Sequence, residues 1–470
     1  MENETSQENR KIVLSFYGDD FTGSTDSMES LTINGLPTVL FLDVPDQSVL
    51  SRFPNVKCIG VAGNSRVMSP EEMKQTLPSI FSSLKELGSD YVHYKVCSTF
   101  DSSKNIGNIA TVLKIGQNVF DSQVTVPVYV ASPDLKRYTV FGNHFAAMGN
   151  QVYRLDQHPV MSRHPITPMS EADLRLVLQE QGLDGRIDLI NVVDLEQPMS
   201  ELQEIYKEKV SEDSQAVLFD SSRKEHVEKV GELLAFSRKP EEPLFLIGSS
   251  GVGHAVAAAH KHPDVVNSVN SSERPSFKKV DQLLVVSGSC SPVTEQQLQW
   301  AMNNGFEGIH LSLQEVMDEN NGKKAMQELV QKATEIIVRG QSVVIYTALG
   351  PDDPSIKENQ RQFTESGSSI SDSSKILGSY LGEVARMVIQ ETGIERLVIA
   401  GGDTSSYATK QLGVYALEMV TSISPGAPLC RCYSDDSRID GLELSLKGGQ
   451  FGSVDYFGKV LNCAPNLVKL

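Results

Sequence analysis

The sequence is poor in aromatic residues and has no long apolar run. Aromatic residues make up 7% of the 470 residues, with a single tryptophan, whereas 40% are hydrophobic. This composition is typical of layered α/β domains and argues against a disordered or fibrous chain. No apolar run approaches the roughly 18 residues that a helix needs to cross a bilayer, so we expect no membrane partner. The length exceeds what one core usually fills, which predicts two domains of about 200 to 250 residues.

Positive charge is also scarce. Lysine and arginine number 42 against 60 acidic residues, which leaves a formal net charge of -18. A phosphate surface would repel such a chain, so neither nucleic acid nor an anionic membrane is an expected partner. A small anionic substrate stays possible, because a local cluster of cations and backbone N–H groups can hold it.

The six cysteines are scattered, and none has the spacing of a four-ligand zinc site. No signal peptide precedes Lys11. We therefore expect a reduced cytoplasmic protein.

Neither common nucleotide fingerprint is present. The pattern G-x-x-x-x-G-K-[ST] does not occur, and no G-x-G-x-x-G follows a predicted strand. Residues 248–253 form a glycine-rich turn with the wrong internal spacing for a dinucleotide site. A nucleotide, if bound, needs a different glycine geometry.

From Lys11 onward, short apolar runs alternate with amphipathic segments of helical spacing. The alternation predicts an α/β fold of two domains, each a mainly parallel sheet flanked by helices. The predicted domains are 11–261 and 280–470, separated by a polar linker at 262–279 and preceded by a disordered segment at 1–10. Predicted strands include 12–17, 38–42, 56–62, 91–94, 187–192, 216–219, 244–247, 283–286, 308–311, 342–347 and 396–399; predicted helices include 70–87, 293–303, 323–339 and 373–392.

The stretch that organises the first domain is an apolar run, 12–17, followed by Gly18, Asp19 and Asp20. Both carboxylates and the Thr22 hydroxyl are predicted at the carboxyl end of a buried strand, where open α/β sheets bind ligands. A phosphoaspartyl phosphatase would need an acid in place of Gly18. The acids suit binding hydroxyls, accepting a proton or positioning a metal, although a solvated turn with a helix cap fits the same pattern.

Three further polar segments interrupt the pattern at strand ends. They are 63–66, 95–103 and 132–143, and they contain the candidate substrate-binding residues Arg66, Lys95, Ser98, Asp101 and Arg137. Each alone resembles an ordinary capped loop. Together with the acid pair they supply acids, hydroxyls and cations at one edge of one sheet, which is what a polyhydroxy acid requires. The proline-rich segment 154–173 is predicted to be an ordered excursion, and Ser170 to begin a helix through Gln181.

Three turns in the second domain are suited to an anion. Small hydroxyl and glycine residues follow the predicted strand 283–286, two glycines follow the strand 396–399, and a lysine stands beside a glycine-rich loop near the C-terminus. Glycines admit a phosphate close to the backbone, and hydroxyls and helix N-termini donate to it. The candidate nucleotide-binding residues are Ser287, Ser289, Ser291, Gly401, Gly402, Asp403, Thr404, Lys447 and Gly449.

Four motifs resemble, in order, the signatures of the four-carbon acid sugar kinases. They are 18–23 with Asp26, 287–292, 401–405 and 447–452, and the resemblance covers nearly the whole chain from Lys11. It implies that the amino-terminal domain holds the acid sugar, that the carboxy-terminal domain holds ATP, and that the active site lies in the interdomain cleft.

The resemblance also implies roles for individual residues. Ser289, the 401–404 loop and Gly449 fall at nucleotide-contacting positions. The sugar-side positions are Asp19, Asp20, Arg66, Lys95 and Ser98. Our hypothesis is that Asp20 accepts the hydroxyl proton and that Asp19 binds hydroxyls or helps to position Mg²⁺. Arg66 and Lys95 would pair with the substrate carboxylate, while the Gly401 loop and Lys447 would steady the phosphates.

Two segments bear on the substrate. Residues 94–102 and 164–174 resemble the 3-oxo-tetronate kinase branch, and they also resemble 3-oxo-isoapionate kinase. Threonate and erythronate kinases tend to carry Lys-x-Asp-Ser-Thr-Leu-Arg-Gly-Asn, whereas here Asp101 follows the Ser-Thr pair and the arginine is absent. We predict an ATP-dependent kinase for the terminal hydroxyl of a short sugar acid, with 3-oxo-tetronate first and 3-oxo-isoapionate, threonate and erythronate as alternatives.

Two non-kinase functions stay open, a sugar-phosphate phosphatase and a sugar-acid-binding module. Neither predicts nucleotide binding in the second domain. The expected partners are the acid sugar and ATP, and a homodimer is compatible with the sequence. The metal ligands are not assigned.

Overall fold

The computed structural model describes residues 11–121, 123–164, 166–210, 213–260, 278–313, 322–365 and 370–463. The chain divides into two compact units, residues 1–272 and 273–470. The predicted disordered segment 1–10 and nearly all of the predicted linker lie outside the described residues, so the domain limits stay predictions.

Eight strands of the first unit form one parallel sheet in the order β2-β3-β1-β4-β11-β5-β10-β9, and three form a small separate sheet. The strands are β1 Leu14–Gly18, β2 Thr38–Phe41, β3 Cys58–Ala62, β4 Tyr91–Lys95, β5 Val126–Tyr129, β6 Arg137–Val140, β7 Asn143–Met148, β8 Gln151–Arg154, β9 Arg186–Ile190, β10 Ser214–Phe219 and β11 Leu244–Gly248. The helices are α1 Phe21–Ile33, α2 Gln47–Leu50, α3 Pro70–Glu86, α4 Ile109–Val119, α5 Leu174–Glu180, α6 Met199–Lys209, α7 Lys224–Ser237 and α8 Gly251–Ala259.

Register brings the polar strand ends of the first unit to one edge. Gly18 of β1 lies opposite Ala62 of β3 and opposite Lys95 of β4, and Gly248 of β11 lies opposite Lys95 on its other side. The strands are mostly apolar and almost fully buried, with Ser15 and His93 as buried polar exceptions. The polar residues that follow the strands meet at the carboxyl edge of the sheet.

Helix α3 shows how local sequence sets an element. Ser69 and Glu72 form a capping box around Pro70 at the first helical position. Its buried residues recur at intervals of three or four, which gives one apolar face toward the sheet. They are Met73, Leu77, Phe81 and Leu84.

The structure corrects two predictions in the first unit. The polar segment predicted at 132–143 is not only a loop, because Arg137 begins the small antiparallel sheet β6-β7-β8. Phe141 and Gly142 form the β6–β7 turn with φ of 49° and 81°, as a two-residue hairpin requires. Helix α5 begins at Leu174 with Asp173 as its cap, rather than at Ser170, because the Asp173 carboxylate accepts from the Arg175 N–H.

The second unit holds a mixed sheet in the order β13-β14-β12-β15-β18-β17-β16. Its first five strands are parallel, and β17 runs antiparallel to both β18 and β16. The strands are β12 Leu284–Ser287, β13 Phe306–His310, β14 Ser342–Tyr346, β15 Arg396–Ala400, β16 Val414–Ser424, β17 Ala427–Ser434 and β18 Glu443–Lys447. The helices are α9 Pro292–Asn303, α10 Gly322–Val338, α11 Pro354–Glu365, α12 Ile370–Thr392, α13 Gly402–Gln411 and α14 Tyr456–Asn462.

The predicted α/β class with mainly parallel sheets is confirmed. The β16–β17 hairpin is an addition, since neither of its strands is among the predicted ones. In the described part of the chain, no helix is both long and apolar enough to cross a membrane.

Candidate functional site

The acid pair of the first unit is held by one arginine. Arg66 Nε and Nη2 donate to Asp19 Oδ2 at 3.1 Å and to Oδ1 at 2.9 Å. Its Nη1 donates to Asp20 Oδ2 at 3.0 Å, and Nη2 lies 3.0 Å from Asp20 Oδ1. Arg66 therefore bridges both carboxylates, and its predicted pairing with a substrate carboxylate stays a prediction.

Asp20 is also the N-cap of α1. The Gly23 N–H donates to Asp20 Oδ1 and the Thr22 hydroxyl donates to Oδ2, both at 2.8 Å. These bonds satisfy a free amide of the first helical turn and fix the carboxylate. The cap and the arginine together orient Asp20 before any substrate arrives.

The two carboxyl groups differ in acidity. Burial is the largest influence on Asp19 and raises its pKa, and the neighbouring charge of Asp20 adds to this while Arg66 opposes it. Burial acts the same way on Asp20, but the charges of Arg66 and Lys95 and the bonds from Thr22 and Gly23 outweigh it, so the pKa of Asp20 is lowered. Such a difference is the usual sign of two carboxylates with separate roles.

Lys95 is the second cation at this edge and is 1% exposed. Its Nζ lies 3.9 Å from Asp26 Oδ2. A β-carbon on Gly23 would come within 2.9 Å of the same Nζ, so glycine at that position lets α1 approach the lysine. Asp26 is part of a family motif, but the sequence did not single it out as a site residue.

The 95–103 loop contains Ser98 and Asp101 in a constrained backbone. Phe100 is fully buried with φ of 57°, a conformation that a bulky residue adopts only when its surroundings require it. The Thr99 hydroxyl donates to Asp101 Oδ1 at 2.6 Å. The Ser98 carbonyl accepts from His144 Nε2 at 2.8 Å, a tie that no sequence pattern indicated because β7 itself was not predicted.

Arg137 stands at the start of β6. Its Nη1 donates to the carbonyls of Leu135, Lys136 and Ala147 at 3.1 to 3.3 Å. The charge of Asp101 acts on both Arg137 and Arg66, so these predicted residues share one electrostatic environment. The first unit thus brings Asp19, Asp20, Thr22, Arg66 and Lys95 into one cluster, and Asp101 lies near both Arg66 and Arg137.

In the second unit, register aligns the three predicted turns. Ser287 of β12 lies opposite Ala400 of β15, and Ala400 lies opposite Lys447 of β18. The Gly288 N–H donates to the Ala400 carbonyl at 3.1 Å, and the Gly401 N–H donates to the Lys447 carbonyl at 2.8 Å. The three loops therefore leave the sheet side by side.

The glycines of these loops allow close packing. Gly401 has φ of 122°, and a β-carbon there would come within 2.8 Å of Thr404 Oγ1 and 3.4 Å of the Ser289 nitrogen. A β-carbon on Gly449 would lie 2.8 Å from Ser289 Oγ. At Gly402, the first residue of α13, nothing would come within 4 Å. Open space at a helix N-terminus suits a phosphate; the side chain of Asp403 lies outside the described residues.

Lys447 lies beside its glycine-rich loop, and its role with the phosphates stays a prediction. It is fully buried, and its Nζ donates to Thr294 Oγ1 at 3.1 Å and to the Gly448 carbonyl at 3.0 Å. Burial lowers the pKa of Lys447 to about 7. Thr294, which the sequence did not indicate, also donates to the Gly449 carbonyl at 3.1 Å. Lys447 and Thr294 therefore hold the glycine loop through hydrogen bonds to its backbone carbonyls.

Two family models match these two halves. One, described as a sugar-binding N-terminal domain, matches residues 14–256, and the other, a nucleotide-binding C-terminal domain, matches residues 284–457. The chain belongs to the four-carbon acid sugar kinase family. It is therefore an enzyme, a phosphotransferase whose acceptor is an alcohol group.

Curated relatives within the acid sugar kinases cover nearly the whole chain. A 3-oxo-isoapionate kinase from Paraburkholderia graminis is 40% identical over 449 residues, which are 96% of this chain and 94% of that protein. A 3-oxo-tetronate kinase from Pectobacterium atrosepticum is 27% identical over 453 residues, 95% of this chain and 98% of that protein. Matches that span both proteins agree with a kinase built from both units.

A solved structure supports the fold of this acid sugar kinase. A Salmonella typhimurium protein, described as a putative tRNA synthase, aligns with a TM-score of 0.74 at 24% identity, covering 95% of this chain and 98% of that one. At this identity the likeness concerns the fold alone.

Proposed function

We propose that the protein transfers the γ-phosphate of ATP to the terminal primary hydroxyl of a short 3-oxo sugar acid. The observation that carries the proposal is the Arg66-bridged acid pair in the unit that matches the sugar-binding domain. Phosphoryl transfer needs little covalent chemistry from the protein, so positioned charges and a fixed proton acceptor are its main requirements.

Asp20 is the better candidate for the group that accepts or orients the hydroxyl proton. Its side chain is 22% exposed, against 4% for Asp19, so a substrate hydroxyl reaches it more easily. Its lowered pKa keeps it ionised near neutral pH, as a base must be. Asp19, more deeply buried, orients Arg66 and through it Asp20.

ATP fits the loops of the second unit. Ser289, the 401–404 loop and Gly449 would hold it, with the phosphates near the open space at Gly402. Mg²⁺ would neutralise charge on the phosphates during transfer. Within the described residues, no group of three or more acidic, histidine or cysteine side chains could hold a metal. This fits a magnesium ion bound mainly through the phosphates, with at most one or two protein carboxylates.

The identities favour 3-oxo-isoapionate as the substrate. The 3-oxo-isoapionate kinase is 40% identical to this chain, whereas the 3-oxo-tetronate kinase is 27% identical. We therefore place 3-oxo-isoapionate first, ahead of the 3-oxo-tetronate that the sequence motifs favoured. The location of the active site between the two domains stays a prediction.

A coupled assay of ADP formation tests the proposal. Purified protein with MgATP is offered 3-oxo-isoapionate, 3-oxo-tetronate, threonate and erythronate, and kcat/KM is compared. We expect the first to give the highest value. A higher value for 3-oxo-tetronate would reverse the order of the two substrates, and no ADP formation with any acid would refute the kinase function for these acids.

The assigned role of Asp20 has a matched control. Asp46 likewise caps a helix in the first unit, accepting from the Val49 N–H at 2.9 Å. Asp20→Asn should lower kcat by more than about tenfold, or roughly 1.4 kcal/mol, while Asp46→Asn should leave it near wild type. An equal effect of the two variants would remove Asp20 from proton transfer.

A further inference from the structure

The cations of the first-unit site differ in whether a protein carboxylate already pairs with them. Arg66 donates to both Asp19 and Asp20, and Lys95 lies 3.9 Å from Asp26. Arg137 makes no ion pair within 4 Å in the described part of the chain. An anionic substrate gains most from a cation that is not already paired.

We propose that Arg137 binds the carboxylate of the sugar acid and thereby makes the enzyme select acids over neutral sugars. This inference rests on the proposed function, and it assigns the carboxylate to a different residue from the predicted Arg66 and Lys95.

The geometry of the guanidinium supports this assignment. Three backbone carbonyls accept from Nη1 and hold the group in place. Nε is buried and has no hydrogen-bond partner, and no bond from Nη2 is found among the described residues. The edge formed by Nε and Nη2 is one of the two that arginine offers to a carboxylate in a bidentate pair. Among the described residues, no protein acceptor meets this edge, and Nε is a buried donor left unsatisfied.

Strand pairing in the small sheet determines which of its two faces carries Arg137. Arg137 lies opposite Ala146, and the neighbouring pair on the same face is Thr139 with His144. This face is the buried one, and His144 contacts the Ser98 carbonyl of the 95–103 loop. Arg137 therefore lies on the side of the small sheet that packs against a predicted substrate loop.

The electrostatic environment of Arg137 also favours binding of a carboxylate. Burial lowers the pKa of Arg137, and the nearby Cys97 and Asp101 only partly oppose this. A partly buried guanidinium without a counter-ion costs free energy, and a bound carboxylate would recover part of that cost. Among the described residues, Arg137 is thus a positioned cation with no ion-pair partner within 4 Å.

The test compares each acid with its carboxamide, which has the same shape but no charge. Wild type should prefer the acid in kcat/KM. Arg137→Met should raise KM for the acid by about 30-fold or more and abolish that preference, because a charge-assisted bidentate pair is lost. The KM of Arg137→Lys for the acid should lie between those of wild type and Arg137→Met, because lysine keeps the charge but cannot form a bidentate pair.

Arg154→Met is the matched control. Arg154 lies in β8 of the same sheet, opposite Phe145 and thus on the other face from Arg137, and pairs with Asp156, Nε to Oδ1 at 2.7 Å. It should retain the wild-type preference, and thermal unfolding checks that all variants fold. Retention of the acid preference in Arg137→Met, with KM within about threefold of wild type, would overturn the assignment.

Calorimetric binding of the acid to wild type and to the Arg137 variants is measured in parallel. If wild type phosphorylates none of the acids, the proposed function fails, and these titrations still decide whether Arg137 holds a carboxylate. If wild type is active and the Arg137 variants bind the acid equally well, only the present inference fails.

Discussion

Gly401→Ala is expected to destabilise the second unit and to impair nucleotide binding. Gly401 has φ of 122° and ψ of 133°, a region that only glycine occupies at low cost. Forcing alanine into such a conformation costs about 1–3 kcal/mol. Its methyl group would also come within 2.8 Å of Thr404 Oγ1 and 3.4 Å of the Ser289 nitrogen, so both loops must shift.

The change in melting temperature follows from these values. We take about 3 kcal/mol as the loss in the free energy of unfolding of the second unit. Each kcal/mol lowers Tm by about 2–4 °C in a domain of this size. The transition of the second unit should therefore move down by roughly 6–12 °C. Differential scanning calorimetry of the full chain, with and without ATP, measures this shift and the loss of stabilisation by nucleotide.

Gly402→Ala is the matched comparison. Gly402 begins α13, and an added methyl group meets nothing within 4 Å. Alanine should leave Tm unchanged or raise it slightly, because it restricts the unfolded chain. The methyl group would occupy the space assigned to phosphate, so KM for ATP should still rise. Equal Tm values for the two variants would refute this account of the loop, and unchanged KM in Gly402→Ala would move the phosphates elsewhere.

Two buried titratable groups predict opposite pH dependences. The pKa of Lys447 is lowered from 10.5 to about 7 by burial, so the unfolded chain binds the extra proton between these values. Wild-type stability relative to Lys447→Met should then rise from pH 7 to 9, by at most about 1.4 kcal/mol per pH unit in urea titrations. A pH-independent difference would contradict this. Asp220, which accepts from the Phe141 and Gly142 N–H groups, has its pKa raised by burial from 3.8 to about 6. Stability relative to Asp220→Asn should fall from pH 4 to 6 at up to the same rate, and a rise over that interval would show that the carboxylate is ionised throughout.

Local patterns in the sequence were enough to predict most parallel strands and the loops that follow them. The predicted strand 396–399 is observed as Arg396–Ala400, and the glycine turn after it begins α13 as expected. Buried parallel strands are short continuous apolar runs, and glycine and hydroxyl residues mark the turns at their ends, so neither signal depends on distant contacts. The family resemblance rested on the same local motifs.

Strands with half-buried faces were harder to predict. The small sheet β6-β7-β8 and the β16–β17 hairpin have mixed burial and pair antiparallel, and their stability depends on what covers each face. The sequence analysis predicted a polar loop at 132–143. It therefore did not predict the role of His144 or the strand in which Arg137 lies.

What the sequence alone determined was which residues stand at the ends of buried strands, because the end of an apolar run is a property of neighbouring positions. What only the tertiary structure decided was the partner of each charge. Arg66 bridges Asp19 and Asp20, Lys447 is buried beside a glycine loop, and Arg137 Nε has no acceptor among the described residues. Ion pairing and burial depend on distances between segments far apart in the chain, and those distances exist only once the sheets have formed.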